Sequence, residues 1–467
     1  MPLRLSRLML FMKQLRQWNG LRKYYTINSS FEKGHTHVKL VTDYERLMED
    51  EMKRLSPLQP DYDWDYLLNR DNRDQIYFNI QNRKGKGDID LLLKLDKTLK
   101  SGTDDLDDFL HYDEEKENIK ERLWAVADSI PNKTHPSVPI GDENKAVCLR
   151  TFGEKKKFGF QPKTVVELGE RMNLLRTRNL TPSSCSRAYY FMGDLALLEE
   201  AIVNYSLDIL LKHGFSYVTV PNLVHPNFIR GCGFQTDSER TQIYKLNKTY
   251  GDICLAGTSE IPLASLFNNS MLHIEELPRK LATVSRCYRA EVSDVERERG
   301  IYRVHQFTKV EMFSLTAQET GEESSEMLES LSNIQAEIFK GVGLHFKVLD
   351  MPTLELGLPA YRKFDVEAWM PSKEFYGEVS SASNCTDFQS RRLNIKYWNP
   401  NLEQKFVHSL NGTACALPRM IMAIMENYQN EDGTVTIPQV LRQYMDNKKL
   451  LERPKKPLRY RWQRTLH

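Results

Sequence analysis

Arg289, Glu291, Arg303, Phe307 and Glu311 fall within one short stretch, residues 285–313 (SRCYRAEVSDVERERGIYRVHQFTKVEMF). Guanidinium forks suit phosphate, an aromatic ring offers a stacking surface, and a carboxylate receives an ammonium, so this set could hold a nucleoside triphosphate beside an amine-bearing substrate. The stretch reads as a strand, CYRAEV, a charged connection, SDVERERG, and a second strand, YRVHQFTKVEMF. In the second strand Tyr302, Val304, Gln306, Thr308 and Val310 alternate with Arg303, His305, Phe307, Lys309 and Glu311. An antiparallel hairpin with a long loop would bring Arg303, Phe307 and Glu311 to one face and add Arg289 and Glu291 from the first strand. His305 sits beside this set, and its neighbours suggest packing rather than proton transfer. Taken alone, the pattern fits an ordinary hairpin with a solvated charged face equally well.

The rest of the chain narrows the choice. With 467 residues, 40% apolar and 27% charged, it is a soluble globular protein of two or three domains. A net charge of +2 excludes a globally basic nucleic-acid binder, although local charge is uneven. The seven cysteines, Cys148, Cys185, Cys232, Cys254, Cys287, Cys385 and Cys415, form no C-x-x-C pair, which argues against a disulfide framework or zinc cluster and for a reducing compartment. No apolar run reaches the length of a membrane span.

These residues must be positioned by an organised chain. Residues 1–31 carry Arg4, Arg7, Lys13, Arg16, Arg22 and Lys23 with no acid before Glu32, the pattern of a mitochondrial presequence; a basic arm or surface helix is the alternative. Residues 32–131 read as a helical domain. A short helix over 41–55 is broken by Pro57 and Pro60, and amphipathic helices over 74–100 and 113–130 form an antiparallel projecting hairpin. Its tip, SGTDDLDDFLHYDEE, is acidic, which leaves Arg73, Arg83, Lys84 and Lys86 as the basic groups for any nucleic-acid contact. Residues 132–163 are a Pro- and Gly-bearing linker. Residues 164–445 alternate strands with a few helices, the pattern of an α+β domain with a mainly antiparallel sheet, and 446–467 form a basic tail.

Five motifs then carry a resemblance. HGFSYVTVPNLV at 213–224, YRAE at 288–291 with HQFTKVEMF behind it, and GTACALPRMIMAIMENYQ at 412–429 resemble motifs 1, 2 and 3 of the class II aminoacyl-tRNA synthetases. GTSEIPL at 257–263, GEVSSASNCTDFQSRR at 377–392 and the upstream PNKTHPSVPIGDEN resemble the seryl-tRNA synthetase family, over about residues 70–445 in order. DMPTLELGLPAYRKFDVEAWMP at 350–371 and NGTACALPR look most like the animal mitochondrial form. The resemblance implies a class II core, preceded by an antiparallel helical arm, that joins ATP and serine into seryl-adenylate and passes the seryl group to tRNA(Ser).

By that resemblance Arg289 would bind the α-phosphate and the serine carboxylate, Arg303 and Arg419 the terminal phosphates, and Phe307 and Arg419 would sandwich the adenine, with Glu291 at its amine or the motif backbone. Glu378 and Ser381 offer hard oxygens for Mg2+. Glu311 and Glu260 suit the serine ammonium. Thr258 and Thr413 suit the hydroxyl, together with Asn384 and Asn411. Ser381 could instead cap a turn, and Asn384 could be a turn residue. Cys287, Cys385 and Cys415 read as small core residues. A site that hydrogen-bonds a hydroxyl rejects alanine without a separate editing domain, and none is visible in the sequence.

In the tail, Arg459, Arg461 and Arg464 lie among Tyr460 and Trp462, a composition suited to tRNA, or else a disordered basic extension. The family also implies a homodimer, and the presequence implies the mitochondrial matrix. Two other functions stay open at this point: an inactive paralogue acting as a binding or regulatory partner, and a ligase charging a carrier protein.

Overall fold

The computed structural model describes residues 60–101, 109–178, 180, 187–236, 242–247, 251–291 and 300–458. The proposed presequence, the helix expected over 41–55, the middle of the acidic tip, the charged hairpin loop and the tail residues Arg459, Arg461 and Arg464 lie outside the described residues.

The expected helix over 74–100 is two helices, α1 (Arg73–Asn82) and α2 (Ile89–Ser101). Lys84, Gly85 and Gly87 between them all take positive φ, which no right-handed helix accommodates. Gly87 also passes close to the backbone of Ile130, where a Cβ would stand 3.2 Å from the Ile130 Cα. After α3 (Phe109–Ser129), Ile76, Ile80, Leu92 and Leu95 pack with Leu123, Ala127 and Ile130 in a core of their own.

Arg83 departs from its expected role. It is only 5% exposed, and its guanidinium donates to Thr134 Oγ1 at 3.0 Å and to the carbonyl of Gly357. Arg73 is bound to Asp74 and Asp90, both at 2.7 Å. Of the four basic residues, Lys84 and Lys86 therefore remain exposed at this end of the arm. Arg83 was misread because a guanidinium aimed at backbone carbonyls has the same sequence signature as one aimed at phosphate.

The main sheet has eight strands: β1 (Val147–Phe152), β2 (Ser216–Tyr217), β3 (Arg279–Tyr288), β4 (Gln306–Thr316), β5 (Phe346–Asp350), β6 (Arg362–Met370), β7 (Phe375–Asn384) and β8 (His408–Ala416). Their order is β1-β5-β6-β7-β8-β4-β3-β2, antiparallel throughout except for the short β2–β3 pair. The edge strand β1 comes from the stretch that the sequence assigns to the linker. Helices α4 (Val165–Met172), α5 (Asp194–Lys212), α6 (Glu260–Ser265), α7 (Glu323–Val342), α8 (Phe388–Leu393) and α9 (Leu417–Asn427) are among those that flank the sheet. Apolar residues of α5, α7 and α9, such as Leu198, Leu331 and Met420, close over Val310, Met312 and Ala382 of the sheet in the largest core. Cys287, Cys385 and Cys415 are fully buried, as small core residues should be.

β3 ends at Tyr288 and β4 begins at Gln306, so Arg289, Glu291 and Arg303 stand in the connection rather than on the strands. The chain ends still meet there: the Arg289 N–H donates to the His305 carbonyl at 2.9 Å. The His305 ring bonds the Tyr244 hydroxyl at 2.7 Å, in keeping with a packing role.

Candidate active site

Period-two alternation on β4 sends Val310 and Met312 into the core and Phe307, Lys309 and Glu311 to an open cleft. Four carboxylates, Glu260, Glu291, Glu311 and Glu378, and four cations, Arg289, Arg303, Lys309 and Arg419, line it. Phe307, Thr258, Ser381, Asn411 and Thr413 line it as well. All the predicted adenylate-site residues except Asn384 thus converge.

A bulge sets one of them. β4 pairs with β8 as Val310 with Cys415 and Glu311 with Thr413, which leaves Ala414 as an extra residue between two ladder positions. That shift turns Thr413 to the same face as Glu311; in unbroken register Ala414 would stand there instead.

At the half-exposed mouth, Arg419 opens α9 directly after Pro418, the favoured residue type for a first helical turn. Its guanidinium donates to the carbonyls of Tyr302 (3.1 Å) and Glu378 (2.9 Å) and to Glu378 Oε2 (3.1 Å), and it lies 4.3 Å over the Tyr302 ring. Burial acts to raise the Glu378 carboxyl, but the Arg419, Lys363 and Arg289 cations outweigh it and hold it well below the usual carboxylate range. Arg303 faces Glu291 at 3.7 Å, so the acid of YRAE pairs with the second arginine and not with its neighbour Arg289. Arg289 donates to the Gly257 carbonyl at 3.3 Å and covers the Phe307 ring at 5.3 Å.

The floor is drier. Lys309 forms an ion pair with Glu311 and donates to Thr258 Oγ1 at 2.8 Å, with both charged side chains almost fully buried. Glu260 opens α6 and accepts from Gln389 Nε2 of α8 at 2.5 Å. Its burial, reinforced by Glu311 and partly offset by Gln389, pushes its carboxyl up to about 7. Ser409 Oγ donates to the Gln389 carbonyl oxygen at 2.7 Å and so fixes which end of the amide faces Glu260.

Asn384 is a correction. Its amide donates to Ser324 Oγ at 3.0 Å, its oxygen accepts from the Thr386 N–H, and it lines a different cavity, beside His135 and Glu322. It closes β7 one position from Ser383, and that local turn decides its direction. Sequence reasoning missed Lys309 and Gln389. Lys309 was visible, being on the Phe307–Glu311 face at period two. Gln389 gave no local signal, since its partner Glu260 lies 129 positions earlier in the chain.

Among the described residues no group of three or more His, Cys, Asp or Glu side chains is arranged to hold a metal ion. The ionised Glu378 and the neighbouring Ser381 do fit Mg2+, which commonly takes one or two protein oxygens and completes its shell with phosphate and water.

The arginine-rich mouth and buried ionic floor that the antiparallel sheet carries at the junction of β4, β8 and α9 lie in the region that matches a tRNA synthetase class II core. The family model for the tRNA synthetase class II core domain (G, H, P, S and T) matches residues 244–428. Among relatives, the mitochondrial serine–tRNA ligase of Mus musculus is 45% identical over 343 residues, 73% of this chain and 66% of that protein. The serine–tRNA ligase of Rubrobacter xylanophilus is 42% identical over 335 residues, 71% of this chain and 78% of that one. The crystal structure of seryl-tRNA synthetase from Pyrococcus horikoshii complexed with ATP superposes with a TM-score of 0.76 at 31% identity, covering 84% of this chain and 100% of that one. The chain belongs to the serine–tRNA ligase family. Its matched region spans just under two thirds of the mouse protein's length.

Proposed function

We propose that this protein is a mitochondrial serine–tRNA ligase that condenses serine with ATP to seryl-adenylate and transfers the seryl group to mitochondrial tRNA(Ser). The observation that carries this reading is the meeting of Thr258, Glu260, Glu311, Asn411 and Thr413 with Arg289, Arg303, Glu378 and Arg419 in one cleft. The ATP in the Pyrococcus structure and the mitochondrial naming of the mouse relative support it.

The serine carboxylate must attack the α-phosphorus in line, so catalysis consists mainly of positioning and charge neutralisation. Arg289, between floor and mouth, is placed to receive both the carboxylate and the α-phosphate. Arg303 and Arg419 take the β- and γ-phosphates, with Phe307 under the adenine and Glu291 at its edge. Glu378 and Ser381 would hold Mg2+, which supplies charge neutralisation to the phosphates. Glu311 and Glu260 receive the ammonium. Thr258, Thr413 and Asn411 leave polar groups unpaired when alanine replaces serine, which is the physical ground for selectivity.

Exposed Leu197 and Leu211 of α5, with Tyr217 of β2 and Leu223 nearby in sequence, offer apolar surface for a homodimer. The boundaries proposed are those read from the sequence, presequence 1–31, arm 32–131, connection 132–163, core 164–445 and tail 446–467, with two corrections: β1 of the connection belongs to the core sheet, and Leu450–Leu451 at the start of the tail pair with Val435–Thr436 of the core. Arg459, Arg461 and Arg464 are the proposed tRNA contacts, and the mitochondrial matrix is the proposed site of action. Serine-dependent exchange of pyrophosphate into ATP, with alanine and threonine as controls, tests the reading. Exchange with serine alone is expected; none, in folded protein, overturns it.

A further inference from the structure

We propose that Lys309 is a positioning residue of the amino-acid end of the cleft: its ammonium ties Thr258 to Glu311 and is the resident positive charge that lets two buried carboxylates, Glu260 and Glu311, stand side by side. The inference rests on the reading that this cleft takes serine, and it adds a residue to which neither the motifs nor the predicted site assigned a role.

Lysine is almost never fully buried unless paired, and Lys309 is 4% exposed. Its Nζ donates to Thr258 Oγ1 at 2.8 Å and forms an ion pair with Glu311, the next residue on the same face of β4. Those partners are the groups offered to a substrate hydroxyl and a substrate ammonium. The side chain is thus an ammonium built into the place where an ammonium will be recognised.

Charge balance gives it a purpose. Glu260 and Glu311 with Lys309 leave one net negative charge on the floor, which one substrate ammonium neutralises, while Arg289 remains for the substrate carboxylate. Without Lys309, two desolvated carboxylates would face a single ammonium, and like charges in a dry site share a proton instead. Burial already pushes the Glu260 carboxyl up to about 7, and Lys309 is among the groups that pull it down. The other groups that face this cluster are Gln389 of α8, Asn411 of β8, Arg289 beyond β3, and the thiols of Cys232, Cys385 and Cys287, all three raised by burial. Arg289 is the other cation among them, and it carries the carboxylate role. Lys309 is therefore the group whose loss shifts the protonation of the floor.

The sign follows directly. A protonated Glu260 no longer attracts an ammonium, so the KM for serine rises as pH falls through the Glu260 pKa, and removing the lysine moves that rise to higher pH. The test uses the full chain: KM for serine and for ATP from pyrophosphate exchange between about pH 6.5 and 8.5, for the wild type, Lys309→Met and Lys309→Arg. In Lys309→Met the serine profile should move up by about one pH unit and serine KM should be about fivefold higher at pH 7, converging on wild type at the alkaline end, with ATP KM within about twofold. Lys309→Arg, which keeps the charge, should keep the wild-type midpoint. Lys309→Gln, neutral but still able to hydrogen-bond Thr258, stands in if the Met variant does not fold and should show the same displacement. An unmoved serine profile, or an equal rise in both KM values at every pH, overturns the proposal. A wild type with no serine-dependent exchange would strike the serine reading itself.

Discussion

At the mouth of the cleft Arg303 and Glu378 keep 27% and 39% of their side chains exposed, whereas on the floor Lys309 and Glu311 keep 6% and 2%. Both ends are built from cation–carboxylate pairs, but they do different work. Each mouth pair keeps one partner in contact with water, Arg303 against a Glu291 that is 4% exposed and Glu378 against an Arg419 at 14%, so on the proposed reading the arginines exchange a carboxylate for a phosphate at a lower desolvation cost than a fully buried pair would incur. The Lys309–Glu311 pair of the floor is shielded from water in the folded protein, so on the proposed reading the polar groups for a small amino acid stand ready before it binds. Large flexible triphosphate calls for adaptable forks; a compact zwitterion calls for a rigid, dry frame.

The contrast can be broken at either end. Arg419→Ala should have the largest effect, a loss of about 10^3-fold in exchange kcat, because it removes a forked charge from the leaving pyrophosphate while also freeing Glu378. Near-normal exchange would remove Arg419 from the site. Glu311→Gln should raise serine KM by about 10^2-fold and leave ATP KM within about twofold, since only the floor loses its anion; parallel changes in both would erase the distinction between the two ends. Phe307→Leu should raise ATP KM by about tenfold through lost ring stacking, with serine KM nearly constant. Ionic strength sharpens the comparison last: raising salt from about 0.1 to 0.5 M should weaken ATP severalfold and serine much less, because screening reaches hydrated charges and hardly reaches buried ones. Equal salt slopes for the two substrates would show that the floor is as wet as the mouth.

The arm repeats the lesson in another setting. Arg83 and Arg392 are both 5% exposed, and both join the arm to the core: Arg83 by donating to the carbonyl of Gly357, Arg392 by pairing with Asp128 at 3.2 Å while stacking on Phe388 at 3.4 Å. In the sequence, Arg83 sits in a basic run that looks made for phosphate. Its partners lie 51 positions away at Thr134 and 274 positions away at Gly357, and only packing reveals that it is spent on a hydroxyl and a backbone carbonyl.

Much of the cleft was legible because strand side chains alternate strictly. Phe307, Lys309 and Glu311 had to share a face once β4 was recognised, and Arg419 had to sit in the first turn of an apolar helix behind a proline. The chain by itself thus determined which residues could stand together on each element. Tertiary structure decided which faces meet: strand order laid β8 beside β4, the extra residue Ala414 turned Thr413 into the cleft, the turn after β7 sent Asn384 elsewhere, and α8 carried Gln389 to Glu260. The reason is that side-chain direction within an element follows from backbone periodicity, a local property, whereas bulges, crossings and buried ion pairs depend on contacts between residues far apart in sequence.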